Sequence, residues 1–337
     1  MIEKKFIVPA YYKDFSCKGG DCRTCCCGGW AVTVSMKEYF SLLGLECSQE
    51  LRYKIDGALH LLKDADENRF AQILPAFDGT CPMRRKSDGY CALQCECGED
   101  VLPAVCRYYP RSPRLWPRAE CCISCSCEKV LEDLIATPEK LTFEERKLAF
   151  YFDEKDAPIV EKDVAEERKK CMDLLQDRAF SVTERMDHIF RFLFEKGGKT
   201  FSMRNLNVAA PDILAFYSDS PSIGEECERA LTNKTTLEEA AAALRKKFSQ
   251  ADLWAEKILS NHFFFMKFPY VEKNENLSDV ALGLAGLFAL WTVLIADERV
   301  KTTDDFVDIT GKLFRVAEHT RFYKNVAILI EEAFKKD

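Results

Sequence analysis

The chain has 337 residues, of which 47% are hydrophobic and 31% charged, a balance typical of a folded globular protein. Its formal net charge of -7 argues against a nucleic-acid-binding protein, which needs a surplus of Lys and Arg to neutralise phosphates. The length allows one large domain or two. We therefore expect no nucleic-acid partner.

The amino-terminal stretch MIEKKFIVPAYYKDF contains no long apolar run. A secretory signal needs such a run, so we expect none here. We expect a cytoplasmic protein, whose thiols stay reduced.

Cysteine is the most unusual feature of the composition: there are 17, and 15 of them lie between Cys17 and Cys127. The first group reads Cys17-x4-Cys22-x3-Cys26-Cys27, with Cys25 as an extra thiol. Ser35 and Glu38 then have the spacing of a capping box, which predicts a helix through Leu43. A second helix is predicted from Leu51 to Leu62.

The second cysteine group is Cys81-x9-Cys91-x14-Cys106, with Cys95 and Cys97 inside its last interval. The stretch CRYYPRSPRLWPR follows from Cys106, with arginines at 107, 111, 114 and 118. Guanidinium groups bind carboxylates and phosphates bidentately, so these arginines could hold an anionic cofactor or an acidic protein surface. The alternative is a solvated loop whose arginines pair with the acidic helical region.

The third cysteine group is Cys121, Cys122, Cys125 and Cys127. In a reducing compartment, clustered cysteines hold metal more often than they form disulfides. Thiolates suit zinc and iron–sulfur clusters. Three of the four histidines lie beyond the cysteine region, which disfavours a mixed Cys/His zinc site, but the pairs Cys22-x2-Cys25 and Cys122-x2-Cys125 leave an all-cysteine zinc site open.

We favour an iron–sulfur cluster over zinc because of the number of thiols. The bacterial ferredoxin spacing is absent, and so is the C-x3-C-x2-C arrangement of radical S-adenosylmethionine enzymes. A Gly-rich dinucleotide-binding fingerprint is absent as well.

The part after residue 127 reads as helical. Hydroxyl–glutamate pairs at capping-box spacing predict helix starts; they are Thr142–Glu145, Ser181–Glu184, Ser222–Glu225 and Thr236–Glu239. The apolar stretch Val280 to Ala296 is 17 residues long, and a membrane span usually needs about 20, so we expect a buried core helix and no membrane association.

These patterns predict a mainly α fold. A cysteine-rich, loop-and-helix metal-binding region at residues 1–127 would pack on an all-helical region at residues 128–337, which binds a substrate or partner.

Four stretches of the sequence resemble the flagellin lysine-N-methylases, a family that contains the wider YkgJ-type cysteine-rich zinc- or iron-chelating motif. The stretches are DCRTCCCGGW, CPMRRKSDGYCALQ, GEDVLPAVCRYYPR and ISCSCEKV. The carboxy-terminal stretches NHFFFMKFPY and EHTRFYKNVAILIEEA are similar to the family as well.

The resemblance implies a set of metal-binding cysteines, namely Cys17, Cys22, Cys26, Cys27, Cys81, Cys91, Cys106 and Cys125. Cys127 competes with Cys125 for the last place. The thiols outside the family pattern are Cys25, Cys95, Cys97, Cys121 and Cys122, and the surplus leaves a second cluster open. We expect Cys25 to be dispensable.

The resemblance also implies an activity: methylation of flagellin lysines before export, with S-adenosylmethionine as the donor and a four-iron (4Fe-4S) cluster. Arg107 and Arg111 are candidates for cofactor binding. Catalytic candidates are Tyr108 and Tyr109, whose faces could hold a cationic amine, and His319, which could act as a base. The competing hypothesis is a non-enzymatic iron–sulfur or zinc protein that uses its helical region to bind a partner.

Overall fold

A computed structural model describes residues 2–116, 118–150, 164–270 and 276–334. Within these residues the strands are β1 (Ile2–Pro9), β2 (Val32–Val34), β3 (Leu59–Leu61), β4 (Ala71–Ile73), β5 (Arg111–Arg114), β6 (Glu120–Ile123) and β7 (Phe143–Phe150). The helices are α1 (Met36–Leu43), α2 (Gln49–Ala58), α3 (Ala92–Cys97), α4 (Ala104–Tyr108), α5 (Glu128–Ile135), α6 (Ala165–Leu175), α7 (Val182–Lys196), α8 (Arg204–Tyr217), α9 (Gly224–Asn233), α10 (Leu237–Lys247), α11 (Ala251–Phe265), α12 (Leu277–Ala296), α13 (Thr303–His319) and α14 (Phe322–Phe334). The chain is therefore mainly helical, as predicted.

The chain forms two compact units. The smaller unit is residues 16–111, and the larger one combines residues 1–15 with 112–337. This boundary differs from a division after residue 127, because β1 pairs with both β6 and β7 and so joins the amino terminus to the chain after residue 112. Separate roles for 1–127 and 128–337 stay a prediction.

The smaller unit has a three-stranded antiparallel sheet in the order β2–β4–β3. Helices α1 and α2 supply much of its core through Leu42, Leu51 and Ile55, which are buried. The Ser35–Glu38 capping box at the start of α1 is confirmed, and α1 ends at Leu43 as predicted. The predicted helix at 51–62 is shorter, because α2 ends at Ala58 and β3 follows.

The larger unit contains a four-stranded sheet in the order β5–β6–β1–β7. The prediction of an all-helical region after residue 127 was therefore wrong. Strand β7 pairs antiparallel with the whole of β1, from Ile2 opposite Phe150 to Pro9 opposite Phe143. The Thr142–Glu145 pair matched a helix start by spacing alone. The following residues instead run along the edge of the sheet, with Phe150 buried at the end of β7.

Helices α5 to α14 form the rest of the larger unit around α12. Capping boxes at Ser181–Glu184 and Thr236–Glu239 are confirmed. The one predicted at Ser222 was wrong: α9 begins at Gly224, and the Ser222 hydroxyl donates to the Lys312 carbonyl oxygen instead (2.9 Å).

Helix α12 is long and apolar enough to cross a membrane by length and composition, yet 83% of its most apolar 18-residue stretch is buried inside the structure. It packs against several helices, α14 among them, and Trp291 at its centre donates from Nε1 to Thr310 Oγ1 on α13 (3.0 Å). This is the environment of a core helix, as predicted for Val280–Ala296.

Close approach of α12 and α14 depends on Gly286. A Cβ atom there would lie 1.9 Å from Val326 Cγ1, so Gly286→Ala should lower the free energy of unfolding by about 1–3 kcal/mol through overpacking. Gly57 lies inside α2 with nothing near its added Cβ, so Gly57→Ala should raise it by about 0.5–1 kcal/mol. Chemical denaturation of both variants measures these changes, and a Gly286→Ala protein as stable as the parent would contradict the packing described.

Candidate metal centre and a buried polar network

Eleven of the 17 cysteines belong to the smaller unit. Backbone pairing aligns the loop that carries the first group with the segment that carries Cys81. The Cys81 amide donates to the Cys27 carbonyl oxygen (2.6 Å), and Gly28 forms a bridge with Thr80 beside it. These contacts set Cys27 next to Cys81, although the two residues are far apart in the chain.

A tight loop between Cys81 and Cys91 brings the next thiol to the same place. Arg84 pairs with Cys91, and the Ala92 amide donates to the Met83 carbonyl oxygen (2.7 Å). Burial raises the pKa of both the Cys81 and the Cys91 thiols, and nearby backbone amides partly offset the rise. Cys91 precedes the first turn of α3, so the amides that face its sulfur belong to that helix.

Cys106 enters the group from α4. Burial, followed by the effects of Cys27, Cys81, Cys91 and Glu38, raises the pKa of its thiol to about 12. Glu38 also fixes the helix, because its carboxylate accepts from the Ala104 amide at the start of α4 (2.6 Å). Electrostatic effects of this kind act over short range, so these sulfurs share one neighbourhood.

Cys25 completes what we call the thiol cluster: Cys25, Cys27, Cys81, Cys91 and Cys106. A hydrogen bond with the Cys27 thiol, followed by burial, raises the pKa of Cys25, while the Arg84 guanidinium lowers it. Cys25 lies outside the family pattern, and the structure nevertheless brings it close to two predicted ligands, Cys27 and Cys81. Spacing could not show this, because the contact of Cys25 with Cys81 depends on the pairing of Gly28 with Thr80, which is far away in the chain.

Of the other predicted ligands, Cys26 borders the thiol cluster: it is exposed, and its sulfur lies 4.0 Å from that of Cys27. Cys17 is exposed, and Cys22 is half-buried on the same loop. Cys125 belongs to the larger unit, where its sulfur accepts from Asn261 Nδ2 (3.1 Å) in the core.

The donor set of the thiol cluster is all sulfur, which is the chemistry that iron–sulfur clusters and all-cysteine zinc sites require. A bound cation would also relieve the repulsion among the thiolates and deprotonate them. Across the described residues, however, no three Cys, His, Asp or Glu side chains lie close enough together to hold a metal ion as placed. The chemistry fits, and metal binding itself stays a prediction.

The arginine and tyrosine candidates stand next to Cys106. Arg107 lies over the Tyr108 ring (5.7 Å), and Tyr109 packs edge-on against Trp30 (5.8 Å). Arg111 begins β5. Cofactor binding by Arg107 and Arg111 and catalysis by Tyr108 and Tyr109 stay predictions.

A second polar site lies in the core of the larger unit. The Glu318 carboxylate near the end of α13 is fully buried and accepts from His262 Nδ1 (2.8 Å) and from the Ser124 hydroxyl. The other nitrogen of His262, Nε2, meets the Tyr323 hydroxyl (2.7 Å). Burial followed by Glu318 raises the pKa of Tyr323 well above its ordinary value, so the phenol stays protonated.

The predicted base His319 is exposed, and it contacts this network through two serines. Its Nε2 lies 2.9 Å from the Ser126 hydroxyl and 3.2 Å from that of Ser124, and the two hydroxyls contact each other. The serines therefore connect a solvent-accessible imidazole to the buried carboxylate of Glu318. We call the five residues Ser124, Ser126, His262, Glu318 and His319 the relay network.

Tyr11 and Asn261 form a separate group of hydrogen bonds around Cys125. The Tyr11 hydroxyl donates to Asn261 Oδ1 (2.7 Å), and Asn261 Nδ2 donates to the Ile123 carbonyl oxygen (2.7 Å) as well as to the Cys125 sulfur. Sequence reasoning missed His262 and Glu318 as partners. The signal was Ser260-Asn261-His262, a polar run directly before three phenylalanines in a helix that is buried along most of its length.

The relay network predicts a pH effect. Partial burial, with Arg315 and Arg114, lowers the pKa of His319 below its ordinary value, and Glu318 opposes this. A lowered pKa in the folded state gives stability that is complete above the unfolded pKa and is lost as the pH falls through the folded value. We expect NMR titration to place the pKa of His319 below about 6.5.

His319→Gln should then weaken the dependence of the melting temperature on pH between about pH 7 and pH 5, because the titrating group is gone. His60→Gln is the control, since His60 is exposed in the smaller unit. A His319 pKa above that of a model imidazole would contradict the geometry.

Comparison with known proteins gives a limited set of relatives. No family model matches the chain, and no solved structure matches it. Proteins named Lysine-N-methylase from Salmonella choleraesuis and Salmonella typhimurium are each 26% identical over 144 residues, 42% of this chain and 35% of theirs.

A protein from Salmonella muenchen named Flagellar biosynthetic protein FliU is 26% identical over 143 residues, 41% of this chain and 82% of its own length. The match with the two lysine-N-methylases thus spans about a third of those proteins. These relatives confirm that the chain resembles the flagellin lysine-N-methylase family.

Proposed function

We propose that the chain is an iron–sulfur-dependent protein-lysine N-methyltransferase that transfers methyl groups from S-adenosylmethionine to flagellin lysines in the cytoplasm. The observation that carries the proposal is the similarity to proteins named Lysine-N-methylase. The flagellar name of a third relative supports flagellin as the substrate. The mostly buried position of α12 supports a protein that does not use this helix to enter a membrane.

The thiol cluster is the proposed metal centre. Cys27, Cys81, Cys91 and Cys106 supply four thiolates, the number that one 4Fe-4S cluster takes, and Cys25 is a fifth thiol within reach. When bound, the cluster supplies an iron centre that could take part in binding the methyl donor. Zinc is the alternative metal for the same four sulfurs.

Methyl transfer needs a neutral amine, because an ammonium group has no lone pair. The lysine nitrogen forms a bond with the methyl carbon as the carbon–sulfur bond of the donor breaks, and a proton leaves the nitrogen. His319 is our candidate acceptor of that proton. Its lowered pKa keeps it neutral at pH 7, and the serine hydroxyls link the resulting cation to Glu318.

Aromatic faces can hold a lysine ammonium, and this chain contains an example. Lys267 Nζ lies 4.4 Å from the centre of the Trp116 ring, and burial lowers its pKa to about 8. Tyr108 and Tyr109 offer faces of the same kind for a substrate lysine.

A second function is a non-enzymatic iron–sulfur or zinc protein whose helices bind a partner. It is favoured by the short match, which spans only 35% of the curated lysine-N-methylases. The metal would then stabilise the smaller unit only.

Substitution of single thiols tests the metal centre. Cys81→Ser and Cys106→Ser should each lose most of the bound iron and the absorbance near 400 nm, because each removes a sulfur from the centre of the thiol cluster. Cys97→Ser is the matched control, since Cys97 belongs to the same unit but interacts with Cys47 and Glu96 instead. Equal iron loss in all three variants would contradict the assignment.

The variant Cys25→Ser distinguishes what the structure predicts from what the family pattern predicts. The position of Cys25 within the thiol cluster predicts a partial loss of iron, whereas the family pattern predicts none.

The enzymatic proposal is tested by incubating the anaerobically purified chain with S-adenosylmethionine and flagellin from the same organism. Mass spectrometry should show mass increments of one methyl group on flagellin lysines. His319→Gln should reduce the rate by about 10²–10⁴-fold, the usual contribution of a general base, and shift the acid limb of the pH–rate profile. Cluster-loaded protein that leaves flagellin unmodified would favour the non-enzymatic alternative.

A further inference from the structure

Lys267 occupies an unusual position in the turn that follows helix α11. Its backbone φ angle is +55°, in the left-handed region that is unfavourable for a residue with a side chain. Two backbone hydrogen bonds hold the turn, from the Lys267 amide to the Phe264 carbonyl oxygen (3.2 Å) and from the Phe268 amide to that of Phe263 (2.8 Å). The end of the helix therefore fixes where the lysine side chain begins.

The side chain of Lys267 is half-buried and leads to an aromatic surface. Its Nζ lies 4.4 Å from the centre of the Trp116 ring, and Trp116 packs edge-on against Tyr270 (5.6 Å between ring centres). Among the residues that the structure describes, the Lys267 ammonium has neither a hydrogen bond nor an ion pair. The face of the indole ring is therefore the contact that holds the cation.

Two other lysines with a lowered pKa are held in a different way. Burial lowers the pKa of Lys247 and of Lys257, and each donates a hydrogen bond of 2.6 Å to a backbone carbonyl oxygen. Trimethylation of those nitrogens would remove these bonds, because it removes the N–H donors. On Lys267 the methyl groups would displace no such bond, and methylation keeps the positive charge that the Trp116 face attracts.

The surroundings also leave part of the Lys267 amine neutral. Burial, followed by the positive charge of Arg114, lowers its pKa to about 8, and Arg168 adds to this effect. Cys122 and Glu120 oppose it. About a tenth of the side chains therefore carry a neutral amine at pH 7, and this is the form with the lone pair that methyl transfer requires.

Lys267 lies in the same part of the larger unit as the proposed base His319. Arg114 lowers the pKa of both residues, and electrostatic effects of this kind act over short range. Phe265, two residues before Lys267, has its ring centre 6.1 Å from that of His319. A lysine of the chain itself is thus close to the group that we assign as the proton acceptor for a substrate lysine.

We propose that Lys267 is itself a methylation site, to which the chain transfers methyl groups from S-adenosylmethionine. The Nζ lone pair forms the bond to the methyl carbon, the carbon–sulfur bond of the donor breaks to give S-adenosylhomocysteine, and a proton leaves the nitrogen. The Trp116 face then holds the methylated cation. This inference rests on the proposed methyltransferase activity, but it does not require flagellin to be the substrate.

Incubation of the anaerobically purified full-length chain with S-adenosylmethionine that carries a trideuterated methyl group tests the proposal. Peptide mass spectrometry should show heavy methyl groups on Lys267, or light ones already acquired during expression. Lys234 is the matched control, because its φ is also positive (+50°) and its side chain is exposed, and it should stay unmodified. The Cys106→Ser variant, which should lose the metal centre, should also lose the modification of Lys267.

Variants of Trp116 test the role of the aromatic face. Trp116→Leu should lower the rate of Lys267 methylation about three- to tenfold, because the cation–π contact is gone, and Trp116→Phe should retain part of the rate. Chemical methylation with limiting formaldehyde and cyanoborohydride gives a readout that does not depend on the enzyme. At pH 7, Lys267 should react at least as fast as the more exposed Lys234, because more of its amine is neutral.

A parallel assay with flagellin distinguishes this inference from the proposed function. Methylated flagellin with unmodified Lys267, or equal modification of Lys267 and Lys234, would overturn the inference alone. Modification that persists in Cys106→Ser would overturn it as well, and so would a Lys267 that reacts more slowly than Lys234 with formaldehyde. Methylated Lys267 without methylated flagellin would support the inference and count against flagellin as the substrate, whereas no methylation of either protein would overturn both.

Discussion

The hydrogen bond from the Cys81 amide to the Cys27 carbonyl oxygen, with the Gly28–Thr80 pairing beside it, is the contact on which the thiol cluster depends. It joins a loop without regular secondary structure to the segment that leads into α3. Without it the first cysteine group would have no fixed position relative to Cys91 and Cys106. The thiols themselves oppose this arrangement, because burial raises the pKa of Cys81, Cys91 and Cys106 and neighbouring thiols raise it further. A cation at the centre would reverse that effect, and this is the physical basis of the proposed metal centre.

The relay network in the larger unit also buries polar groups, which costs free energy. Fully buried Glu318 and His262 would each be expensive without partners, and the network provides a partner for each. Three elements contribute to it, the turn before α5, α11 and α13, and Tyr323 of α14 contacts its His262. The network thus ties the core together and also leads from the exposed ring of His319 to a buried carboxylate. The proposed role of His319 as a proton acceptor would use this exposed end.

Sequence patterns predicted several of the helices, and their failures have physical causes. The helix starts predicted at Ser35, Ser181 and Thr236 were correct, because a capping box is a local interaction between residues three apart. Thr142 and Glu145 have the same spacing, yet the residues after Thr142 form β7 because they pair with β1. The strand β1 is far away in sequence, so a local pattern could not predict this pairing.

The candidate sites depend on long-range contacts in the same way. The family resemblance included Cys27, Cys81, Cys91 and Cys106 among eight metal-binding cysteines. It could not add Cys25 or show that Cys125 lies in the core beside Asn261. His319 was proposed from its side-chain chemistry alone, and its partners Ser124 and Glu318 became visible only when β6, α5 and α13 were in place.

Iron K-edge X-ray absorption of the anaerobically purified full-length chain tests the central claim most directly, because it identifies both the metal and its donor atoms. An iron–sulfur centre predicts iron surrounded by sulfur together with an iron–iron distance, and both signals should be lost in Cys106→Ser but kept in Cys97→Ser. Stoichiometric zinc without iron, or iron bound by oxygen and nitrogen, would contradict the account.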